Sequence, residues 1–105
     1  MFAPIVFLST TTQPLTSTAA TWQPDADTAD VNAQDPKTAW KIRLFGDVDF
    51  HVAVNTGDAT VNDVRVAGEY HGIIVVVPPG GTLSVIKATG ANDGTLWATR
   101  VKSAA

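Results

Sequence analysis

The sequence has 105 residues and a mass of 11.0 kDa, which is enough for one domain but too little for two domains with separate hydrophobic cores. Its hydrophobic content of 45% is typical of a globular chain and excludes a wholly disordered one. The net charge is −3 and the sequence has no basic cluster, so nucleic acid is not expected as its main partner. Without cysteine, the sequence can form no disulfide framework, thiolate zinc site or cysteine nucleophile.

The first residues are apolar, but they predict neither a signal peptide nor a membrane span. No basic residue precedes the apolar stretch, which stops at Ser9, whereas a spanning helix needs ~20 apolar residues. We therefore expect no membrane partner, and a protein that is made in the cytoplasm and is not exported by this segment.

The composition favours β-structure, because 13 valines and 14 threonines are branched at Cβ and suit a pleated surface. Apolar segments alternate with turn signals at short intervals, and no window shows a helical repeat. The prediction is an all-β fold, a small antiparallel β-sandwich or barrel that is jelly-roll-like, with an extended N-terminal arm.

The chain divides into an N-terminal part, residues 1–38, and a sandwich body, residues 39–105, within a single domain. A first strand is predicted over residues 4–9. A Thr-, Ala- and Asp-rich segment follows as far as Lys37, and residues 1–36 carry a charge of −4 from four aspartates. This acidic arm has too few apolar groups to bury a core of its own, so we expect it to be mobile or laid against another surface.

The body reads as successive strands in chain order. The first two are predicted over 40–44, with Trp40, Ile42 and Leu44 inward, and over 48–54, with Asp49, His51 and Ala53 outward. A strand over 61–66 should point Val64 and Val66 inward. Residues 70–77 lose the alternation and are apolar on both faces, which favours a central strand or one covered by a partner. Residues 82–89 and 95–102 are predicted to form a hairpin with Trp97 and Val101 in the core.

Candidate catalytic residues are few. Asp49 and His51 share one strand face, and a metal site would need Asp47, Glu69 or His71 to complete it. We interpret these residues instead as solvated strand faces and a turn. No serine lies in a nucleophile elbow, and Pro78-Pro79-Gly80-Gly81 lacks the rest of a phosphate loop. The sequence therefore predicts no catalytic residue, no metal, no cofactor and no enzyme activity.

Three segments carry a resemblance to a known class of protein: Phe45-Gly46-Asp47-Val48, Pro78-Pro79-Gly80-Gly81 and the run from Asp93 to Val101. Over residues 39–102 the chain resembles small β-sandwich virion proteins of tailed bacteriophages, namely head decoration (cement) or fibre-associated proteins. The resemblance implies a non-enzymatic structural protein on the capsid surface, made in the host cytoplasm. Its partners would be the major capsid protein or other virion proteins, and capsid symmetry implies a homo-oligomer, taken here as a trimer.

The expected partner-binding residues lie in the N-terminal part. Trp22 is a lone tryptophan in a polar segment and could anchor in a partner's pocket. The resemblance extends this role to Phe7 in the apolar first strand and to Leu15 and Val31 in the arm. Two alternatives to capsid decoration remain open in the sequence, a fibre or tail adaptor and a carbohydrate-binding β-sandwich module. A cupin-like metal enzyme is the third class considered.

Overall fold

The computed structural model describes residues 5–24, 40–69, 72–78 and 80–103, and these residues form eight β-strands. The strands are β1 (Ile5–Leu15), β2 (Ala20–Trp22), β3 (Trp40–Gly46), β4 (Phe50–Val54), β5 (Val64–Val66), β6 (Ile73–Val77), β7 (Leu83–Lys87) and β8 (Gly94–Ser103). Within the described ranges, no helix is long and apolar enough to cross a membrane.

The strands form two four-stranded antiparallel sheets. Sheet I has the order β1-β8-β3-β6, and sheet II has the order β2-β7-β4-β5. The first strand pairs with the eighth, the second with the seventh, the third with the sixth and the fourth with the fifth. This nested pairing of eight strands in two sheets is the jelly-roll arrangement. The predicted antiparallel β-sandwich is confirmed.

The core lies between the two sheets, where alternating residues of each strand point inward. In β3, Ile42 and Leu44 are buried while Lys41 is exposed, as the alternation predicts. The fully enclosed side chains from the other strands include Leu15, Phe50, Val77, Leu83, Val85 and Leu96. At ~1.5–3 kcal/mol for each large apolar side chain removed from water, this layer is the main source of stability.

The N-terminal part contributes more to the sandwich than its composition predicts. β1 does not stop at residue 9 but continues to Leu15, which pairs with Gly94, and β2 pairs with β7 in the other sheet. Residues 10–22 are therefore strands and a connection of the sandwich rather than an arm. The polar composition misled the prediction because an edge strand can expose threonines on one side and still bury a residue such as Leu15. Residues 25–39 lie outside the described residues.

The predicted hairpin of the last two strands is wrong. β7 belongs to sheet II and β8 to sheet I, so residues 88–93 carry the chain from one sheet to the other. Residues such as Asn92 and Gly94 occur both in tight hairpin turns and in connections between two sheets. The local sequence therefore does not distinguish these two kinds of connection. The phase of β8 also differs from the prediction. Leu96 and Ala98 face the core, whereas Trp97 is 38% exposed, although Val101 is buried as predicted.

The β4–β5 region corrects two further expectations. His51 and Ala53 are buried rather than solvated, because the connection after β4 folds back over the outer side of sheet II. In that connection the Asp63 carbonyl oxygen lies 2.9 Å from His51 Nδ1, and the Ala59 N–H donates to Ser84 Oγ at 2.8 Å. β5 has only three residues, and its Val66 is buried as predicted. Val64 lies on the same side of the strand, opposite the core residue Val52, but it is 65% exposed rather than buried.

Within the described part of the chain, β6 lies at the edge of sheet I and not at its centre. It pairs with β3 over its whole length, from Ile73 against Leu44 to Val77 against Trp40. Gly72, just before the strand, has a φ of +72°, and a Cβ there would clash with the Leu44 carbonyl oxygen, so only glycine allows this close approach. Alternation leaves Ile73, Val75 and Val77 against the core, and the other two side chains face outward.

Candidate binding face

The outer face of sheet I is the side turned away from the core, and it carries an unusual set of exposed side chains. The strand register places Phe45 of β3 opposite Trp97 of β8, and Arg43 opposite both Thr99 and Ile74. One step further along, Lys41 lies opposite Val76. Aromatic, cationic and aliphatic groups therefore lie on one rigid surface.

Phe45 and Trp97 form an aromatic pair on this face. Their ring centroids are 6.0 Å apart and the ring planes are inclined by 48°. The guanidinium carbon of Arg43 lies 5.6 Å from the Phe45 ring centroid, within the range of a cation–π contact. A tilted aromatic pair is worth ~0.5–1.5 kcal/mol beyond its buried area, so the two rings hold each other in place. Trp97 thus presents an ordered aromatic surface to solvent.

Two aliphatic side chains extend the face to the sheet edge. Ile74 is 50% exposed and Val76 is 55% exposed, although both are large apolar residues. The described strand residues of this face include two cations, Lys41 and Arg43, and no carboxylate. The outer face of sheet I therefore suits a partner surface with apolar groups and negative charge.

The acidic side chains considered for catalysis serve the fold. Asp47 Oδ1 accepts a hydrogen bond from the Thr95 N–H at 2.8 Å, which ties the β3–β4 turn to the start of β8. Asp49 Oδ1 accepts from the Gly68 N–H at 2.8 Å, and its Oδ2 accepts from Arg65 Nη2 at 2.7 Å. The Gly68 hydrogen bond, and secondly the Arg65 guanidinium, hold the pKa of Asp49 below its ordinary value.

The described residues bring no metal-ligand cluster together. No group of three or more His, Cys, Asp or Glu side chains lies close enough to share an ion in the described ranges. His51 is enclosed beneath the β4–β5 connection, and Glu69 donates its backbone N–H to the Gly46 carbonyl oxygen at 2.8 Å. His71, the other histidine considered for such a site, lies outside the described residues.

A hydroxyl network around the buried Ser84 lies on sheet II. Thr21 Oγ1 donates to Asp58 Oδ1 at 2.6 Å and lies 2.7 Å from Ser84 Oγ, which also accepts the Ala59 N–H. Ser84 has no exposed surface, so its hydroxyl cannot meet a substrate. The network instead joins β2, β7 and the connection after β4.

A depression of about 390 Å³ lies beside the Asp49–Arg65 ion pair. Val48, Asp49, Arg65 and the connection over residues 89–92 line it. Its two charged groups already bind each other at 2.7 Å, so they are not arranged to receive a ligand. The outer face of sheet I is the stronger candidate for function.

The four residues predicted to bind a partner have different positions. Leu15 has no exposed surface and belongs to the core, so in this fold its side chain is not available to a partner. Trp22 is half-buried at the end of β2 and packs against the same core. Phe7 lies in β1 opposite Val101, and its side chain lies outside the description. Val31 lies outside the described residues.

Sequence reasoning missed Phe45, Trp97, Ile74 and Val76 as a group. The predicted strand over 40–44 ends before Phe45, and the sequence pattern places Trp97 in the core. The phase of β3 contained a signal, since Phe45 alternates with Ile42 and Leu44 and so shares the side of Lys41 and Arg43. The pairing of β3 with both β6 and β8, which brings the four residues together, cannot be read from local pattern.

The comparisons with known proteins add no relative. No protein-family model matches the chain, and no curated protein or solved structure matches it.

Proposed function

We propose that this protein is a non-enzymatic structural protein of a tailed-phage virion, which binds and stabilises the capsid as a decoration or cement protein. The observation that carries the proposal is the outer face of sheet I, where Ile74, Val76 and Trp97 are exposed on a rigid sheet beside two cations. The phage assignment itself comes from the sequence resemblance. The jelly roll also occurs in viral capsid domains, which supports the assignment by analogy of fold alone.

The physical basis is the preorganisation of the face. Strand pairing and the aromatic contact fix these side chains before binding, so little conformational entropy is lost on docking. A decoration protein present in many copies on a lattice needs only modest affinity at each contact. Contact with carboxylates on the capsid through Lys41 and Arg43 would make the binding weaker at high salt.

The test is cosedimentation of the purified protein with undecorated heads of a phage that encodes it. The wild-type protein should saturate the heads, and Trp97→Ala and Arg43→Glu should each reduce the bound amount by at least ~10-fold, a loss of about 1.4 kcal/mol. Val64→Lys is the matched control, because Val64 is 65% exposed on the other sheet. No binding by the wild-type protein, or equal binding by all variants, would contradict the proposal. Binding to tails rather than heads would favour the fibre or tail adaptor.

The exposure of Trp97 favours one second candidate, a carbohydrate-binding module. Such modules stack sugar rings on exposed aromatic side chains, and lectin domains also use the jelly roll. Calorimetric titration with soluble glycans would then show saturable heat that Trp97→Ala removes and Val64→Lys retains. Absence of saturable heat across the glycans tried would leave the capsid proposal preferred.

A further inference from the structure

The two sheets have four edge strands, and three of them carry features that hinder pairing with another chain. β2 and β5 have only three residues each, and β5 contains Arg65, which is paired with Asp49. β1 is long, but its register against β8 shifts between Phe7 and Thr10, and it contains Pro14. Short length, charge, irregularity and proline are the usual protections of sheet edges.

The fourth edge, β6, has none of these protections. Its sequence is Ile-Ile-Val-Val-Val, without charge, proline or glycine, and its register against β3 is continuous. Among the described residues it pairs with β3 alone, so every second residue directs its backbone N–H and C=O away from the sheet. A regular, uncharged strand of β-branched residues at an edge is a template for strand addition.

We propose that β6 pairs antiparallel with β6 of a second copy of this chain and joins the two sheets I into one eight-stranded sheet. A two-fold axis at Val75 uses the whole strand, since it sets Val75 opposite its counterpart and Ile74 opposite Val76 of the other copy. On the outer face, the exposed aliphatic side chains of both copies then form one apolar strip. The proposal does not depend on binding to a capsid.

The charges beside β6 permit this pairing. Lys41 and Arg43 lie on β3, one strand in from the edge. Across the dimer, the two copies of β3 would be three strand spacings apart, ~14 Å. That distance exceeds the ~8 Å Debye length at physiological salt, so repulsion between these surface cations is largely screened.

Pairing of β6 with β6 of a second copy also gives a closed assembly, to which no third copy can add in the same way. A ring of three copies joined through β6 would require β6 to pair with β1, β2 or β5 of a neighbour, and each of those edges is protected. Two copies of β6 satisfy each other and leave no further free edge of this kind. The contact is short, ~17 Å for five residues, so it falls among the small, transient interfaces and should dissociate on dilution. We therefore expect a dimer rather than the trimer that the resemblance implies.

The main test is sedimentation of the full chain over a wide range of concentration. The weight-average mass should rise twofold from the 11.0 kDa of one copy. The double variant Ile74→Lys/Val76→Lys places four like charges along the two-fold strip and should raise the dissociation constant at least ~10-fold. Val64→Lys changes an exposed valine on β5, away from the proposed contact, and should associate like the wild type.

Two further measurements locate the contact. The backbone amides on the free side of β6 should become protected from hydrogen exchange as the concentration rises. The chain has no cysteine, so Val75→Cys supplies a single thiol per copy. Directly opposed residues have Cβ atoms ~4.5–5.5 Å apart, so this variant should form a disulfide-linked dimer on mild oxidation, much faster than Val64→Cys.

Three results would overturn the proposal. The first is a monomer at every concentration. The second is a dimer that the two lysines leave unchanged and in which Val75→Cys does not crosslink, because another surface would then be the interface. The third is protection of the β6 amides that is independent of concentration, because the chain itself would then cover the edge. Loss of head binding without loss of the dimer would count against the capsid proposal only.

Discussion

Asp47 makes two hydrogen bonds to the backbone of Thr95, one from its own backbone and one through its side chain. The Asp47 backbone N–H donates to the Thr95 carbonyl oxygen at 3.2 Å, and its carboxylate accepts the Thr95 N–H at 2.8 Å. The contact joins the turn after β3 to the first residues of β8, 48 positions further along the chain. It anchors the strand that carries Trp97, so this aspartate supports the candidate binding face from a distance.

Replacing Asp47 with alanine should destabilise the fold by about 1.5–3 kcal/mol, because the partly buried Thr95 N–H loses a charged acceptor. Asp47→Asn keeps an oxygen that can accept this bond and should lose less. Asp93→Ala is the control, because that carboxylate forms an exposed ion pair with Lys87, of a kind worth ~0–1 kcal/mol. Urea unfolding of the three variants gives the free energy of unfolding of each, and the loss should be largest for Asp47→Ala. Equal effects of Asp47→Ala and Asp93→Ala would contradict the role given to the Thr95 contact.

Truncation should cost more at Leu96 of β8 than at its neighbour Trp97. Leu96→Ala removes a fully enclosed side chain and should cost about 2–5 kcal/mol. Trp97→Ala should leave the protein folded with a loss of about 1–3 kcal/mol, because the indole is partly exposed and the variant loses both its pair with Phe45 and its buried apolar area. Chemical denaturation checks both values. If Trp97→Ala unfolds the domain, the phase of β8 described above is wrong.

Leu15→Ala should destabilise the protein by about 2–5 kcal/mol, since Leu15 is a core residue and not a free anchor. Thr12→Ala, an exposed position on the same strand, should change stability by at most ~0.5 kcal/mol. Thermal unfolding by circular dichroism distinguishes the two variants.

Deletion of residues 10–38 should abolish folding, because it removes half of β1 and all of β2. A folded protein after that deletion would contradict the assignment of residues 10–22 to the sandwich.

The Asp49 carboxylate should contribute to the dependence of stability on pH. Its folded-state pKa lies below the ordinary value of 3.8, so its contribution is present at higher pH and is lost as pH falls through the folded-state pKa. Asp49→Asn should flatten the acid limb of the stability curve. NMR titration should also show the pKa of Asp49 moving upward in Arg65→Ala, while the Gly68 hydrogen bond still holds it partly down. An unchanged Asp49 pKa in Arg65→Ala would show that the Arg65 guanidinium does not lower this pKa.

The sequence pattern predicts a strand and its buried side correctly where one face of the strand meets the core and the other meets solvent. The alternation of Ile42 and Leu44 with Lys41 predicted β3 correctly, because one face of that strand meets the core and the other meets solvent. The class of fold followed from many such segments.

Pattern failed where burial depends on what another part of the chain covers. His51 alternates like a surface residue, but the connection after β4 encloses it. The run over 73–77 is apolar on both faces, which favours the interior, but nothing local indicates that β6 is the last strand of its sheet. The binding face depends on strand order, and strand order is a property of the whole topology.

The pairing of β1 with β8 sets Ile5 directly across from Ser103. A module fused near either of these positions would therefore leave from the same corner of the molecule. A short linker joining the two strands would allow a circular permutant, opened for instance in the exposed connection around Asn92. Such a permutant would show whether folding depends only on the pairing of β1 with β8 or also on the order in which the two strands are synthesised.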